Sequence, residues 1–583
     1  MSLDNSDDTF FVITDLKNII TERPINMKNL TRNLLSATLL GFATAAGAQD
    51  ATFSCFRYQG NDSRFSEQID PHNQYYNPIL AGFYPDPSVC RVKDSYYLVN
   101  SSFAFFPGVP LFKSNDLVNW RQVGNVLDKN SQLDLSHQKT SGGIFAPAIS
   151  YNKSNKTFYM ITTNVAKGNF VVKTQDPEKG WSEPIFLPKI DGIDPSLFFD
   201  DKGNGWIVHN APVMGKAAYE GQRAIRLLRY DVKGDSTVGN PIEIVRGGTH
   251  VDEHPIWIEG PHLYKRGGYY YLMCAEGGTG FRHSEVVFRS KHLTKGWQEC
   301  PYNPILTQRS GIDENRKNPV SSTGHADLVE AKDGSWWAVF LGCRPYEGDY
   351  YNTGRDTYLL PVTWKDGWPI ILEKGQVLPN IVRKTDLQPL TADDVQLTGN
   401  FSYTDNFDSP RLGTRWMFLR NPAPNAYSTG KGLTLHALPY NLSQKEPLSA
   451  VFCRQQHTSF SAETTLTFEP RSSKEIAGMA LLQNETHYFI LGKTLREGSP
   501  VITLTRCDDA PSLIASALLT SKDSHEPIRL KVEGNGRYYS FFFAVGTGTW
   551  QTLATGVDAS NLSTKKSGGF IGTCIGLYAT SNN

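Results

Sequence analysis

Asp86-Pro-Ser-Val89 and Asp194-Pro-Ser-Leu197 are nearly the same four residues, 108 positions apart, and their likeness decides how the chain is read. Three further segments share the form of a short polar or acidic signal followed by an apolar strand: Ala146-Pro-Ala-Ile149, Glu259-Gly-Pro-His-Leu263 and His325-Ala-Asp-Leu328. Successive starts lie about 48 to 66 residues apart, a period that suits one four-stranded propeller blade with its loops. A second signature recurs inside the period: Lys113-Ser-Asn-Asp-Leu-Val-Asn-Trp120, Lys173-Thr-Gln-Asp176 ending at Trp181, and Arg289-Ser-Lys-His-Leu293 ending at Trp297. Each is expected to mark the outer hairpin of a blade. Between these signals run short alternating strands bounded by Gly, Asn, Asp and Pro, such as Gly268-Tyr-Tyr-Tyr-Leu-Met273, and long amphipathic patterns are absent. The repeat predicts an all-β, five-bladed β-propeller over residues 76–375.

Past Trp368-Pro-Ile370 and the polar stretch Arg383–Asn400 the pattern changes. Residues 395–583 read as a β-sandwich, with strands at Phe460–Phe468 and Ile528–Val532 and a Gly534-Asn-Gly536 turn leading into Tyr538–Val545. An apolar strand at Phe570–Tyr578 stands close to the last residue, leaving room for one more strand in the expected sandwich.

Lys plus Arg and Asp plus Glu both number 58, so no long-range field draws the protein to nucleic acid or an anionic membrane. The eight cysteines are scattered without a C-x-x-C pair, which encodes neither a zinc site nor a disulfide scaffold and predicts buried core fillers. Near the N-terminus, Met27-Lys28 and Arg32 precede the apolar run Leu34–Ala46 and the small-residue end Ala46-Gly47-Ala48. Residues 27–48 are therefore expected to be a secretory signal peptide, sending the product to the periplasm or outside the cell. The run is too short for a permanent membrane span, and residues 1–26 read as a start codon assigned too early.

In a propeller the innermost strands line a central channel, so equivalent blade starts converge. Asp86, Asp194 and Glu259 would meet there, where burial and mutual repulsion drive carboxylate pKa values apart and let one site hold both an acid and a base. Singly, Asp-Pro is a common turn opener and Glu259 a common surface residue; the force lies in the shared register.

The motifs Gly82-Phe-Tyr-Pro-Asp-Pro-Ser88, Ser102-Phe-Ala-Phe-Phe-Pro-Gly-Val109, Gly143-Ile-Phe-Ala-Pro147, Gly192–Leu197, Ile258–Leu263, Gly324-His-Ala326 and Gly354-Arg-Asp356 together resemble glycoside hydrolase family 43. The resemblance implies a propeller with a C-terminal concanavalin-like sandwich, acting from chain ends as an α-L-arabinofuranosidase or β-xylosidase. It implies Asp86 as general base, Glu259 as general acid and Asp194 as the carboxylate that orients the acid. This is an inverting set, for which carboxylates about 6.5–9.5 Å apart are expected. It further implies that Arg355 binds near the carboxylates, that Phe106, Phe145 and Phe570 wall the sugar pocket, and that His325 contacts substrate or helps hold a structural calcium ion. Phe145 departs from the Trp common at that place. No cofactor is required for the chemistry, and the partner is an oligo- or polysaccharide of plant hemicellulose. The Ala218–Ala224 insert and the Gly342–Gly348 loop lean toward arabinofuranose, with a β-1,4-xylosidase as the near alternative. A fructan hydrolase would carry Asn-Asp-Pro where Tyr84-Pro-Asp-Pro87 stands, and a carbohydrate-binding propeller without catalysis would not need three carboxylates in register.

Overall fold

The computed structural model describes residues 50–583 apart from 310, 314 and 392, so the expected signal peptide and the segment before it lie outside the described residues. Five four-stranded antiparallel sheets follow one another along the chain, each a meander whose spatial order equals its sequence order. Their first strands are Ser88–Val92, Ile144–Asn152, Ile193–Phe199, Glu259–Arg266 and Ser321–Glu330. Each packs on the next, and Ser321–Glu330 returns to Ser88–Val92, closing the series. The serine of the Asp-Pro-Ser motif ties these neighbours: Ser88 Oγ donates to Asp327 Oδ2 at 2.7 Å and accepts from the Ile149 amide at 3.1 Å. The Trp-terminated signatures fall, as read, between the third and fourth strands of their sheets, where Trp120 is fully buried.

The head of each first strand departs from a regular pleat. Asp86, Ala146, Asp194, Gly260 and His325 all adopt a left-handed backbone, with φ between 35° and 54°. In four of the sheets the pairing register slips across this residue, at Phe145/Ala148, Ile193/Ser196, Glu259/His262 and Gly324/Asp327. Proline follows at positions 87, 147, 195 and 261, and because it has no N–H to give the ladder, a bulge is the natural outcome. The bulges also correct the repeat register: Gly260, not Glu259, is the equivalent of Asp86 and Asp194, and the glutamate stands one residue ahead.

Two larger sheets form the second half. Ser449–Arg454, Cys574–Thr580, Ile476–Asn484, His487–Arg496, Ser499–Asp508 and Ala510–Leu518 make one, in that spatial order. In the other, Ser459–Thr467, Ile528–Asn535 and Tyr538–Val545 run side by side; the hairpin expected between the last two forms, but its turn is Gly536-Arg537, because Gly534 and Asn535 are paired with Tyr539 and Tyr538. Its central strand is a segment that the sequence reading left outside both units: Asp50–Gly60 pairs with Ser459–Thr467, Leu433–His436 and Ser402–Asp405. Ala51, Phe53, Phe56 and Tyr58 turn inward to the core shared with Met479, Leu491, Leu530 and Leu577. All eight cysteines are free thiols, seven of them buried and Cys55 half-buried.

Buried arginines join the two halves. Arg344, 1% exposed, forks onto Asp356 at 2.8 and 2.9 Å, reaches Asp62 at 3.0 Å and donates to the Gln456 carbonyl at 2.8 Å. Charges this deep persist only because each is paired. Arg420 donates to the Gln138 carbonyl and Glu485, and Arg454 to the Phe83 carbonyl. Beside them the backbones meet glycine to glycine: Gly354 has φ +75°, and a Cβ there would lie 2.7 Å from the Gly572 Cα. Gly354→Ala should therefore cost about 2 kcal/mol or more, read as a lowered urea midpoint, since neither backbone can yield.

Candidate active site

Asp86 sits in the turn ahead of the first sheet, 6% exposed, and both its oxygens are held. Arg355 Nη1 donates to Oδ1 at 2.7 Å and Ser101 Oγ donates to Oδ2 at 2.6 Å. Burial by itself would favour the protonated form, but Arg355, His325 and the Ser101 hydrogen bond outweigh it and hold the carboxyl below its ordinary value. Asp86 is a carboxylate across the neutral range.

The other two acids behave oppositely. Asp194 accepts only a 3.2 Å hydrogen bond from the Gly260 amide; burial first and the charge of Asp86 second push it up to about 7. Glu259, also 6% exposed, is pushed well above its ordinary value by burial, then by Asp194 and Asp86. Three carboxyl groups of similar burial thus divide into one held ionised and two whose hold on a proton is strengthened, because the one direct cation is spent on Asp86. Arg223 tempers both raised groups from further off.

Aromatic rings close one side. Phe145 and Phe570 meet edge to face at 5.5 Å, and Phe103 completes the set, stacked on Phe570 at 6.1 Å and edge-on to Phe145 at 5.4 Å. The Arg355 guanidinium lies 5.8 Å from the Phe103 and Phe570 ring centres and donates to the Phe570 carbonyl at 3.4 Å. A small pocket open to solvent adjoins it, lined by Arg355, Phe570, Tyr351 and Thr279 among others. Phe106 is not brought to this group. It pairs with Phe418 of the second half and is buried in the core below. The sequence reading named Phe106 because a motif does not tell which of its three phenylalanines joins Phe145 and Phe570; Phe103, with a left-handed backbone at φ 48°, does so.

His325 heads the fifth sheet with Nδ1 3.6 Å from Asp86 Oδ1, beyond hydrogen-bond length. Burial lowers it to about 4, so it is neutral, and a Cβ on Gly260 would come within 2.8 Å of its Nε2. Its packing thus supports the backbone beside Glu259. Among the described residues no three His, Cys, Asp or Glu side chains gather as metal ligands. Of the carboxylates around His325, Asp86 is committed to Arg355, Asp327 to Ser88, the Val89 amide and Tyr264, and Glu285 to the Ala326 amide, and the Arg355 charge repels a cation, so direct calcium ligation does not fit here. Ser101, Asn210, Arg223 and Trp257 were missed by sequence reasoning; Arg223 lies inside the insert quoted above, but nothing in its local sequence separates it from a surface arginine.

A buried carboxylate beside two carboxyls of raised proton affinity and an aromatic wall can supply both the base and the acid of an acid–base hydrolysis. Residues 75–369 match the family model for glycosyl hydrolases family 43, and residues 404–583 match that of the beta xylosidase C-terminal concanavalin A-like domain. The chain belongs to glycosyl hydrolases family 43. It is 39% identical to a xylosidase/arabinosidase of Butyrivibrio fibrisolvens over 87% of this chain and 96% of that one. It is 32% identical to a non-reducing end alpha-L-arabinofuranosidase of Bacteroides ovatus over 87% of this chain and 91% of that one. Its fold superposes with a TM-score of 0.84 on the crystal structure of a GH43_12 protein from a capybara gut metagenome, 41% identical, covering 91% of this chain and 99% of that one.

Two outcomes follow from the electrostatics. Arg355→Met should move the acidic limb of the kcat/KM profile to higher pH, because Asp86 loses its main cation; an unmoved limb would separate Asp86 from that ionisation. Glu259→Gln should raise thermal stability increasingly with pH. Glu259 ionises near 4.5 when unfolded and well above that when folded, so the wild type loses stability as pH climbs through this window while the amide does not.

Proposed function

We propose that the protein is an exo-acting, inverting glycoside hydrolase that releases terminal α-L-arabinofuranosyl or β-D-xylosyl residues from hemicellulose side chains. The observation that carries this reading is the split among the carboxyls: Asp86 kept ionised, Glu259 kept protonated. In this scheme Asp86 takes a proton from a water that attacks the anomeric carbon. Glu259 gives its proton to the glycosidic oxygen as that bond breaks, and Asp194 orients the acid and keeps it protonated. No step passes through a metal. The ring of sheets is read as a five-bladed propeller, and Phe570, supplied by the second half, closes the pocket so that only a chain end enters. Relatives named for both pentoses leave arabinofuranose as the first substrate to try and xylose as the second. Export through the 27–48 leader is part of the proposal, checked by N-terminal sequencing of the mature protein.

Glu259→Ala should lower kcat/KM on oligosaccharide pentosides by about 10²- to 10⁴-fold. Wild-type rates in that variant would sink the catalytic assignment in favour of a carbohydrate-binding propeller. Proton NMR of the first-formed sugar should record inverted anomeric configuration; retention would refute the single-displacement scheme.

A further inference from the structure

The acid stands in a clamp that the reaction scheme does not yet use. Asn210 Nδ2 donates to the carbonyl of Ile258, the residue before Glu259, at 2.6 Å. The Asn210 side-chain oxygen in turn receives a fork from Arg223, Nε at 3.1 Å and Nη2 at 2.7 Å. The guanidinium is stacked 4.9 Å over the ring of Trp257, itself fixed in a left-handed conformation at φ 51° and bonded through its amide to the Gly221 carbonyl. Residues 257–260 are therefore gripped by one asparagine and one arginine of the third sheet. Arg223 is half-buried, and the opposite charges that act on it most strongly are Glu259, then Asp194, then Asp191. Asp191 is paired to Arg226, which leaves Arg223 to the two acids.

We propose that Arg223 is a positioning residue for the acid: clamped by Asn210 and Trp257, it fixes the 257–260 segment and stabilises the Glu259 carboxylate left behind once the leaving oxygen has taken the proton. The step balances within the proposed reaction. The electron pair of the glycosidic bond goes to the leaving oxygen, the Glu259 proton follows it, and the new Glu259 carboxylate, repelled by Asp194 and Asp86, is met by a permanent cation. The groups facing Glu259 are Asp194, Asp86, Arg355 and Arg223, with the neutral His325 ring against Gly260. Arg355 is committed to Asp86, so Arg223 is the cation free to serve the acid side. Its removal weakens the acid most where the leaving group needs a proton, and least where it leaves unaided.

This inference rests on Glu259 being the general acid. The test compares Arg223→Gln with wild type on a pentosyl oligosaccharide and on the matched 4-nitrophenyl pentoside, across pH. The expected result is a basic limb of kcat/KM displaced upward by about half a pH unit or more, and a loss on the oligosaccharide about tenfold greater than on the nitrophenyl substrate. Arg223→Lys, keeping charge without the fork, should return the basic limb toward wild type, and Asn210→Ala should displace it in the same direction as Arg223→Gln. Equal losses on both substrates with an unmoved limb would overturn the proposal and leave Arg223 a packing residue. Should Arg223→Gln fail to fold, by its melting curve, the other two variants carry the same readout. An active Glu259→Ala would instead remove the acid assignment itself, whatever Arg223 does.

Discussion

Everything at the centre depends on one backbone constraint, the left-handed residue that heads each inner strand. A regular strand alternates its side chains between two faces, and at the head of an inner strand both faces are packed against neighbouring sheets. A bulge in the left-handed region breaks that alternation and re-aims one side chain along the axis. For non-glycine residues this conformation costs of the order of 1–3 kcal/mol, and it persists because the sheets on either side over-determine it. Asp86, Asp194 and His325 accept the cost and face the site. Gly260 occupies the same position without a side chain, which leaves room for the His325 ring and turns the task over to Glu259 just ahead of it.

Convergence alone would give three carboxyls competing for the same protons. Their division into one held ionised and two of raised proton affinity comes from where the cations stand. Arg355 contacts Asp86 at 2.7 Å and makes its ionised form the stable one, and that negative charge then acts with burial to raise Asp194 and Glu259. The ionised Asp86 therefore helps to hold Glu259 protonated. A second direct arginine contact on Glu259 would defeat this by favouring its carboxylate in the resting enzyme. Arg223 instead is turned by Asn210 and Trp257, so that its charge is felt at the acid while its donors are engaged elsewhere.

The repeat was legible because its chemistry is local: Asp-Pro-Ser writes a bulge, a ladder gap and an inter-sheet hydroxyl into three adjacent residues. The second half was legible as a sandwich from its alternation and its Gly-Asn-Gly hairpin signal. What stayed hidden is long-range. Asp50–Gly60 alternates like any strand, and only its pairing with residues some 400 positions away places it in the middle of a sheet. Glu259 was found by the wrong register, since a pattern match aligned it with Asp86 where the backbone aligns Gly260. Phe103 and Phe106 share a motif and both are phenylalanine; three-dimensional context alone sends one to the wall and the other to the core.

That context explains why the second half is needed at the site at all. Arg454 holds the carbonyl of Phe83, three residues before Asp86, while Arg420 holds the Gln138 carbonyl and receives the Ala104 carbonyl at its own amide, beside Phe103. Asp356 is the strand neighbour of Arg355 and points the opposite way, into the buried network of Arg344 and Asp62, while its Oδ1 accepts the Gly82 amide at 2.7 Å. The same alternation that aims Arg355 at the base thus anchors its backbone to the N-terminal segment. Phe570 arrives over the Gly354–Gly572 contact, where only backbones without side chains can pass so closely. The carboxylates belong to the ring, but the loops beside Asp86 and the aromatic wall are fixed from the other half, so the site is a property of the joined structure.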